Sequence, residues 1–184
     1  MKAGRKRHPH AHGGSGFAGV GTMIVLFLIG YAAGSIPFGL ILTSIFTKQD
    51  IRTIGSGNIG ATNVLRTGNK KLALATLLLD GFKGAVPILA LSLFQNPTLA
   101  LICGLGAVLG HCFSPWLKFK GGKGVATALG VLLAAVPLAG LAAIAIWIMS
   151  FLAARISSLA AISAMVIAPV FTMLIYSQQA TVIN

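Results

Sequence analysis

The chain has 184 residues, of which 56% are hydrophobic and only 9% are charged. A soluble globule of this size needs more polar side chains to cover its surface, so the composition excludes one. Several uncharged stretches are long enough to cross a bilayer, and the sequence therefore predicts an all-α integral membrane protein. With 14 Lys and Arg, two acids and a net charge of +12, the chain suits anionic substrates or lipid headgroups and lacks the carboxylates for paired acid and base catalysis.

The first 16 residues are basic and rich in His, Pro and Gly, without apolar periodicity. This pattern predicts a disordered arm at residues 1–16, followed by a single polytopic membrane domain at residues 17–184. His8, His10 and His12 are spaced two residues apart in this arm. In a flexible tail we expect such histidines to bind metal only adventitiously. We therefore expect no metal and no cofactor.

The two cysteines, Cys103 and Cys112, lie nine residues apart in an apolar run. Their spacing matches neither a CxxC motif nor a Cys/His cluster. We expect both to be small core residues and neither to be a metal ligand or a disulfide partner.

The first half of the chain contains three apolar runs. The first continues uncharged through Thr47, which favours an uncleaved helix over a signal peptide cleaved near residues 32–34. The next two runs, 72–94 and 97–116, are separated by a turn at residues 95–97. Each run is expected to form one membrane helix.

The second half adds a run at 125–154 and another at 159–176. As one helix the former would be about 45 Å long, which exceeds a bilayer core of about 30 Å. Pro137 near its middle predicts two short helices that meet at a turn, and a single kinked, tilted helix is the alternative. The sequence thus predicts about six membrane helices.

Two glycine-rich basic loops interrupt the apolar sequence, from Gly55 to Gly68 and from Lys118 to Thr127. Two crossings separate them, so both face the same compartment, and their Lys and Arg content indicates the cytoplasm. If 125–154 is divided, a polar notch at 155–158 returns to that face as well. Basic residues flank the first helix on both sides, so charge alone does not orient it.

The first loop reads GSGNIGATNVLRTG. Its small residues let the backbone present N–H groups to an anion, and a helix expected from Ala61 adds a favourable macrodipole. Arg66 can grip a phosphate in a bidentate manner. We expect phosphate binding, with a simple glycine-rich turn as the alternative. The candidate ligands are Gly55, Ser56, Gly57, Asn58, Thr62, Asn63 and Arg66.

The second loop reads KFKGGKGVAT and opens a helix at Val125. It is similar to a P-loop, but Val125 stands where the Walker motif would place Ser or Thr, which excludes nucleotide hydrolysis. Its lysines alone would fit a positive-inside cluster, whereas the glycines between them favour anion binding. The candidate ligands are Lys120, Gly121, Gly122, Lys123 and Gly124.

Three ionisable residues lie within the apolar runs. Asp80 and Lys83 are three residues apart on one helix face, and charges at membrane depth have to pair or face a polar cavity. A structural ion pair and a catalytic role are both open for this pair. His111 is either a hydrogen-bonded structural residue or a general base. All three are expected to support the site.

Together these motifs resemble the PlsY family of bacterial acyl-phosphate:glycerol-3-phosphate acyltransferases. The matching stretches follow in order and at family-like spacing across residues 31–170. They are GSIPFG at 34–39, DIR at 50–52, GSGNIGATNVLRTG at 55–68, LLLDGFKG at 77–84, GHCFSPWLKFKGGKGVATALG at 110–130 and RISSLAAISA at 155–164.

The resemblance implies seven membrane helices in the bacterial inner membrane, with the active site at the cytoplasmic face. It implies transfer of a fatty acyl group from acyl phosphate to glycerol 3-phosphate, which gives lysophosphatidic acid and phosphate in phospholipid synthesis. It further implies Ser56, Arg66 and Lys123 as catalytic residues, Ser158 in a third motif, and a substrate phosphate that assists deprotonation of the attacking hydroxyl.

The partners that the resemblance implies are the two substrates, the bilayer and the acyl-phosphate-forming enzyme of the same pathway, without nucleic acid. Family members continue into a last helix with a cytoplasmic motif like RHRENI, whereas residues 178–184 read QQATVIN. We therefore expect six of the seven helices here. A membrane phosphate or organic-anion transporter or binding subunit is the alternative function, but it predicts internal repeats that the sequence does not display.

Overall fold

A computed structural model of the chain describes residues 15–92 and 96–182. Regular structure in these ranges is entirely helical, which confirms the predicted all-α class. Residues 1–14 of the predicted arm, with its histidines, and residues 93–95, which include the first residue of the predicted turn at 95–97, lie outside the described residues. The α-helices are α1 (Ser15–Gly34), α2 (Phe38–Phe46), α3 (Ala61–Val64), α4 (Lys70–Ser92), α5 (Pro97–Cys112), α6 (Val125–Ala135), α7 (Pro137–Ala154) and α8 (Ser157–Val182).

Within the described ranges, five segments are long and apolar enough to cross a membrane. They are Gly19–Phe46, Lys70–Ser92, Pro97–Leu117, Pro137–Ala154 and Ser157–Leu174. A sixth apolar helix, α6, has 11 residues and is therefore only about 16 Å long. The polytopic helical bundle is confirmed, and its sixth helix is too short to span a bilayer core alone.

The long run 125–154 is divided as predicted, because α6 ends at Ala135 and α7 begins at Pro137. Proline suits the first turn of a helix, where its missing N–H group would have no partner in any case. The alternative of a single kinked helix is therefore wrong.

The first apolar run differs from the continuous helix that the sequence predicted. α1 ends at Gly34 and α2 begins at Phe38, with residues 35–37 outside both helices. Pro37 has no N–H group and disfavours helical geometry at Ile36, which explains the interruption. The segment from 19 to 46 is thus one membrane span made of two helices.

Small residues let the helices pack closely. A methyl group at Gly34 of α1 would collide with Ala107 of α5, and a methyl group at Gly84 of α4 would collide with the carbonyl of Thr127 in α6. α7 and α8 share a buried cluster that contains Ala143, Ala164 and Ala168. Because lipid tails are as apolar as the side chains, such close van der Waals contact is what holds membrane helices together.

Candidate functional site

The first loop is entered through a short 3-10 turn, Ile51–Thr53, that Asp50 caps. The Asp50 carboxylate accepts a hydrogen bond from the Arg52 backbone N–H at 2.9 Å and binds the Arg52 guanidinium, with Nη2 at 2.6 Å from Oδ2. The side-chain hydrogen bond, aided by the backbone one, lowers the pKa of Asp50 to about 2, and the same contact raises the pKa of Arg52. One of the two acids of the chain is thus ionised and engaged at neutral pH.

Ser56 and Arg66 are both exposed at the glycine turn of the first loop. Gly55 and Gly57 take φ angles of 55° and 69°, a region that disfavours residues with a side chain. Arg66 lies across this turn, since a Cβ at Gly55 would be 2.7 Å from Arg66 Nη1. The Ser56 hydroxyl and the Arg66 guanidinium therefore both lie exposed at this turn.

Asn63 organises the backbone of the first loop and is only 3% exposed. Its Oδ1 accepts a hydrogen bond from the Ser56 N–H at 3.1 Å. Its Nδ2 donates to the carbonyls of Ile51 at 3.1 Å, Ile54 at 2.9 Å and Asn58 at 2.7 Å. Both donor hydrogens of the amide are therefore engaged by carbonyls of the loop and of the turn that precedes it. This predicted phosphate ligand holds the loop against its entry turn.

The second loop folds back onto the end of α5. The Gly121 N–H donates to the Cys112 carbonyl and the Gly122 N–H to the His111 carbonyl, each at 3.0 Å. Both N–H groups therefore already have acceptors and are not free to bind an anion. The two glycines instead allow the loop to pack closely against the end of α5. Cys103 is buried as predicted, whereas Cys112 is only half-buried and lies against this loop.

α6 begins directly after the second loop, behind Gly124 with a φ of 75°. No side chain caps this end of α6, so N–H groups of its first turn are available to an anion. Thr127 in that turn carries a fully buried hydroxyl without a hydrogen-bond partner among the described residues. Lys120 and Lys123, in the loop just before α6, are exposed, and neither forms an ion pair within the described part of the chain.

Beneath the second loop, three buried ionisable residues meet. Lys83 Nζ lies 2.7 Å from Asp80 Oδ1 and donates to the Ile36 carbonyl at 2.9 Å. His111 Nδ1 is 3.6 Å from the same carboxylate oxygen, which is beyond hydrogen-bonding distance. A methyl group at Gly122 would collide with His111 Nε2, so the ring lies directly against the loop. The predicted supporting residues are therefore together, but under the loop and not in an open cleft.

One apolar cluster lies under both loops. It joins Leu117, which directly precedes the second loop, to residues of the first loop and of the start of α4. Its buried members are Ile51, Ile59, Val64, Leu72, Ala73 and Leu117. The two loops are therefore parts of one packed unit, which agrees with the expectation that both face one compartment.

The notch at 155–158 reaches the first loop through Ser157. Ser157 Oγ lies 3.3 Å from Thr62 Oγ1, which is close enough for a hydrogen bond. The hydroxyl of Ser158, the predicted residue, is exposed and forms no hydrogen bond within the described ranges. Sequence reasoning missed Ser157 because only the register of α8 decides which of two adjacent serines meets Thr62.

The break between α1 and α2 is a second feature that sequence reasoning missed. The Ser35 carbonyl accepts a hydrogen bond from Ser114 Oγ at 2.7 Å, and Ser35 Oγ accepts one from Trp116 Nε1 at 2.9 Å. A helix broken within a bilayer needs partners for its freed backbone groups, and Ser114 and Lys83 supply them. The sequence did contain a signal for this break, because a serine stands just before a proline at Ser35 and Pro37 and again at Ser114 and Pro115.

Comparison with known proteins gives matches over most of the chain. The family model of glycerol-3-phosphate acyltransferase matches residues 24–184. The chain is 57% identical over 154 residues to a glycerol-3-phosphate acyltransferase of Methylorubrum populi, covering 83% of this chain and 75% of that protein. It is 58% identical over 143 residues to the protein of the same name in Agrobacterium fabrum, covering 78% and 70%.

Two solved structures share the fold. One is the crystal structure of PlsY, an integral membrane glycerol 3-phosphate acyltransferase, in its glycerol 3-phosphate form, with a TM-score of 0.77 and 38% identity over 83% of this chain and 77% of that one. The lysophosphatidic acid form of PlsY has a TM-score of 0.74 and 38% identity over 83% and 76%. The family match includes both loops, the buried cluster beneath the second loop and the notch at 155–158.

Proposed function

Because this chain belongs to the glycerol-3-phosphate acyltransferase family, we propose that its two glycine-rich loops bind the phosphate groups of glycerol 3-phosphate and of an acyl phosphate. The enzyme transfers a fatty acyl group to glycerol 3-phosphate, and the product is lysophosphatidic acid for phospholipid synthesis. The acyl phosphate is the proposed donor, and the acyl-phosphate-forming enzyme of the same pathway is the proposed supplier.

The observation that carries this proposal is the meeting of three polar segments that long apolar helices separate in the sequence. Leu117 packs the second loop against the first, and Ser157 brings the third segment to Thr62. Arg66 of the first loop and Lys123 of the second are exposed and have no ion pairs among the described residues. Two cations that no internal acid neutralises suit two phosphate-bearing substrates.

Different residues of the loops have different roles in this proposal. Arg66 and Lys123 hold the phosphates and stabilise charge that develops on the reacting groups, and Ser56 adds a neutral donor. Asn63 holds the first loop in shape, because both hydrogens of its Nδ2 already have acceptors there. Gly121, Gly122 and Gly124 let the second loop pack closely against His111 and Cys112 at the end of α5.

The reaction follows from this arrangement. A hydroxyl oxygen of glycerol 3-phosphate forms a bond to the acyl carbon, the bond between that carbon and the phosphate oxygen breaks, and phosphate leaves with the electron pair. The hydroxyl proton passes to a substrate phosphate oxygen. Asp50 is bound to Arg52 and Asp80 is buried beside Lys83, so neither acid is free to act as the base. Positioning and charge stabilisation supply the rate.

The proposed location is the inner membrane, with the three polar segments on the cytoplasmic side. Positive charge in both loops supports this orientation. We would place single cysteines at Asn96 or Ser158 in a chain with Cys103 and Cys112 replaced by Ala. A membrane-impermeant maleimide should label N96C in intact spheroplasts and S158C only after lysis. The reverse pattern would place the site outside the cell.

The direct test incubates the purified full-length chain with radiolabelled glycerol 3-phosphate and palmitoyl phosphate. Lysophosphatidate should form, and R66A and K123A should each reduce its formation by roughly a hundredfold or more. K71A removes an exposed lysine outside the loops and serves as the charge control, with activity retained. A folded wild-type chain that forms no lysophosphatidate but carries glycerol 3-phosphate into liposomes would be a transporter instead.

A further inference from the structure

The chain buries three ionisable side chains for which the proposed reaction has no direct use. Asp80, Lys83 and His111 are only 2%, 7% and 4% exposed. Ionisable groups at membrane depth are costly and are retained where they pair or serve a function. Their enclosure prevents substantial contact with a substrate, so their purpose has to follow from what they touch.

Asp80 and Lys83 tie α4 to the break between α1 and α2. Lys83 Nζ is 2.7 Å from Asp80 Oδ1, 2.9 Å from the Ile36 carbonyl oxygen and 5.6 Å from the centre of the Phe38 ring. His111 at the end of α5 lies near the same carboxylate oxygen, with its Nδ1 at 3.6 Å. The carboxylate is therefore a fixed point shared by α4, α5 and the broken first span.

His111 is also the member of this cluster that touches the second loop. Its carbonyl accepts the Gly122 N–H at 3.0 Å, and its Nε2 fills the space that a methyl group at Gly122 would require. Gly122 is thus held by both the backbone and the ring of one residue. Displacement of the ring would release the segment that carries Lys120 and Lys123.

We propose that the buried cluster of Asp80, Lys83 and His111 positions the second loop. His111 is the member of the cluster that holds Gly122 in place. The ring packs between the Asp80 carboxylate, 3.6 Å from its Nδ1, and Gly122, and it thereby supports the segment that carries Lys120 and Lys123. His111 is a positioning residue in this arrangement and exchanges no proton with substrate. The effect on substrate affinity rests on the function proposed above, whereas the effect on loop structure does not.

Limited proteolysis tests the structural part. Trypsin can cut the second loop after Lys118, Lys120 and Lys123, and it can cut the first loop region after Arg52 and Arg66. In H111A we expect the cleavage rate of the second loop to rise by roughly tenfold, because proteolysis follows the population of the locally opened form. Cleavage of the first loop should stay within about twofold of wild type. C103A removes a buried side chain two turns earlier in α5 and should leave both rates unchanged.

Kinetics test the consequence for the reaction. H111A should raise the KM for acyl phosphate by roughly tenfold while kcat at saturation changes much less, because a mobile loop weakens binding of the phosphate it carries. H111Q keeps a polar group near the position of Nε2 and should restore part of the affinity. A merely structural role would lower the amount of folded protein and leave the KM of the folded fraction unchanged.

The outcomes separate this inference from the proposed function. The positioning role would be overturned if H111A and H111Q raised the cleavage rates of both loops equally. It would also be overturned if neither variant raised the cleavage rate of the second loop. If H111A does not fold, G122A pushes a methyl group against the same ring and should open the second loop in the same selective way. Wild-type protein without acyltransferase activity would refute the proposed function, and the proteolysis result would still decide on the cluster.

Discussion

The buried amide of Asn63 is hydrogen-bonded to four backbone groups of the first loop and the turn that leads into it. N63A would leave the buried carbonyl of Ile51 and two further carbonyls without their donor. We expect the loop to open more easily by about 2–4 kcal/mol, given about 1–3 kcal/mol for a buried group left unsatisfied. Hydrogen exchange of the amides at 55–60 measures this change directly.

N58A provides the matched control in the same loop. The Asn58 side chain contributes one hydrogen bond, from the Gly60 N–H to Oδ1 at 2.9 Å. Its loss should cost about 1 kcal/mol, so exchange should accelerate far less than in N63A. A larger effect for N58A than for N63A would contradict the organising role of Asn63.

Asp50 gives a pH prediction at the entrance of the same loop. Its contact with Arg52 lowers its pKa from 3.8 to about 2, so the charged carboxylate is favoured in the folded state. The stabilisation is therefore fully present above about pH 4 and is lost as the pH falls through about 2. The contact should be unaffected by pH changes near neutrality.

Carboxyl ¹³C NMR can follow this titration easily, because the chain contains only two acids. One aspartate signal should titrate with a midpoint near pH 2 and should move back towards 3.8 in R52Q. A midpoint near 3.8 for Asp50 in the unmodified protein would show that the contact with Arg52 does not persist in solution.

At this scale the sequence predicted which residues form the loops better than it predicted what each one does. Asn63 was expected to bind phosphate because an amide in a glycine-rich loop is a neutral donor. The donor capacity of that amide is instead used by three carbonyls that come from turns before it. Such pairing depends on the folded path of the loop, which no local pattern specifies.

Among the helices, the contact between α4 and α6 depends on a missing side chain at Gly84. A methyl group there would collide with the Thr127 carbonyl. We expect G84A to lower the free energy of unfolding by about 1–3 kcal/mol, because α6 has to shift away from α4. Thermal unfolding in detergent micelles measures the loss.

Gly81 on the same helix is the control. A Cβ there would lie 3.7 Å from the Ala126 carbonyl oxygen, an ordinary contact distance. G81A should therefore be neutral, or more stable by about 0.5–1 kcal/mol from the better helix propensity of Ala. Equal destabilisation by both substitutions would mean that helix propensity and not close packing governs this interface.

The helices also show which boundaries can be predicted. Pro137 divided the run 125–154 because the run was longer than the bilayer, so length and proline indicated the same break. Pro37 broke the first run, residues 17–47, which as one helix would be about as long as 125–154, so the same argument applied there. The freed carbonyls are satisfied by Ser114, which follows α5, and by Lys83 of α4. Length and proline therefore indicate where a span breaks, whereas the tertiary partners that stabilise the break are not identified by the local sequence.

On the scale of the whole molecule, counting crossings was sufficient to predict that the loops share one face. The notch at 155–158 was expected on that same face, although its contact with the first loop was not predicted. The residue that makes the contact was not predicted either, because it depends on how α7 and α8 pack through their buried alanines. Register between helices is set by packing, and the apolar pattern of α8 is too uniform to encode it.

That meeting leads to a prediction about the assembled site. Thr62 Oγ1 and Ser157 Oγ are 3.3 Å apart although 95 residues separate them in the chain. The pair T62C and S157C, in a chain with Cys103 and Cys112 replaced by Ala, should form a disulfide with a mild oxidant, because the thiols start within reach of each other. Trypsin fragments from the two sides should then stay linked until a reductant is added. T62C with S158C should link far more slowly, since the Ser158 side chain is exposed and Thr62 forms its hydrogen bond with Ser157 instead. Equal rates for the two pairs would mean that α8 has no fixed register against the first loop, and that the third segment does not complete the site.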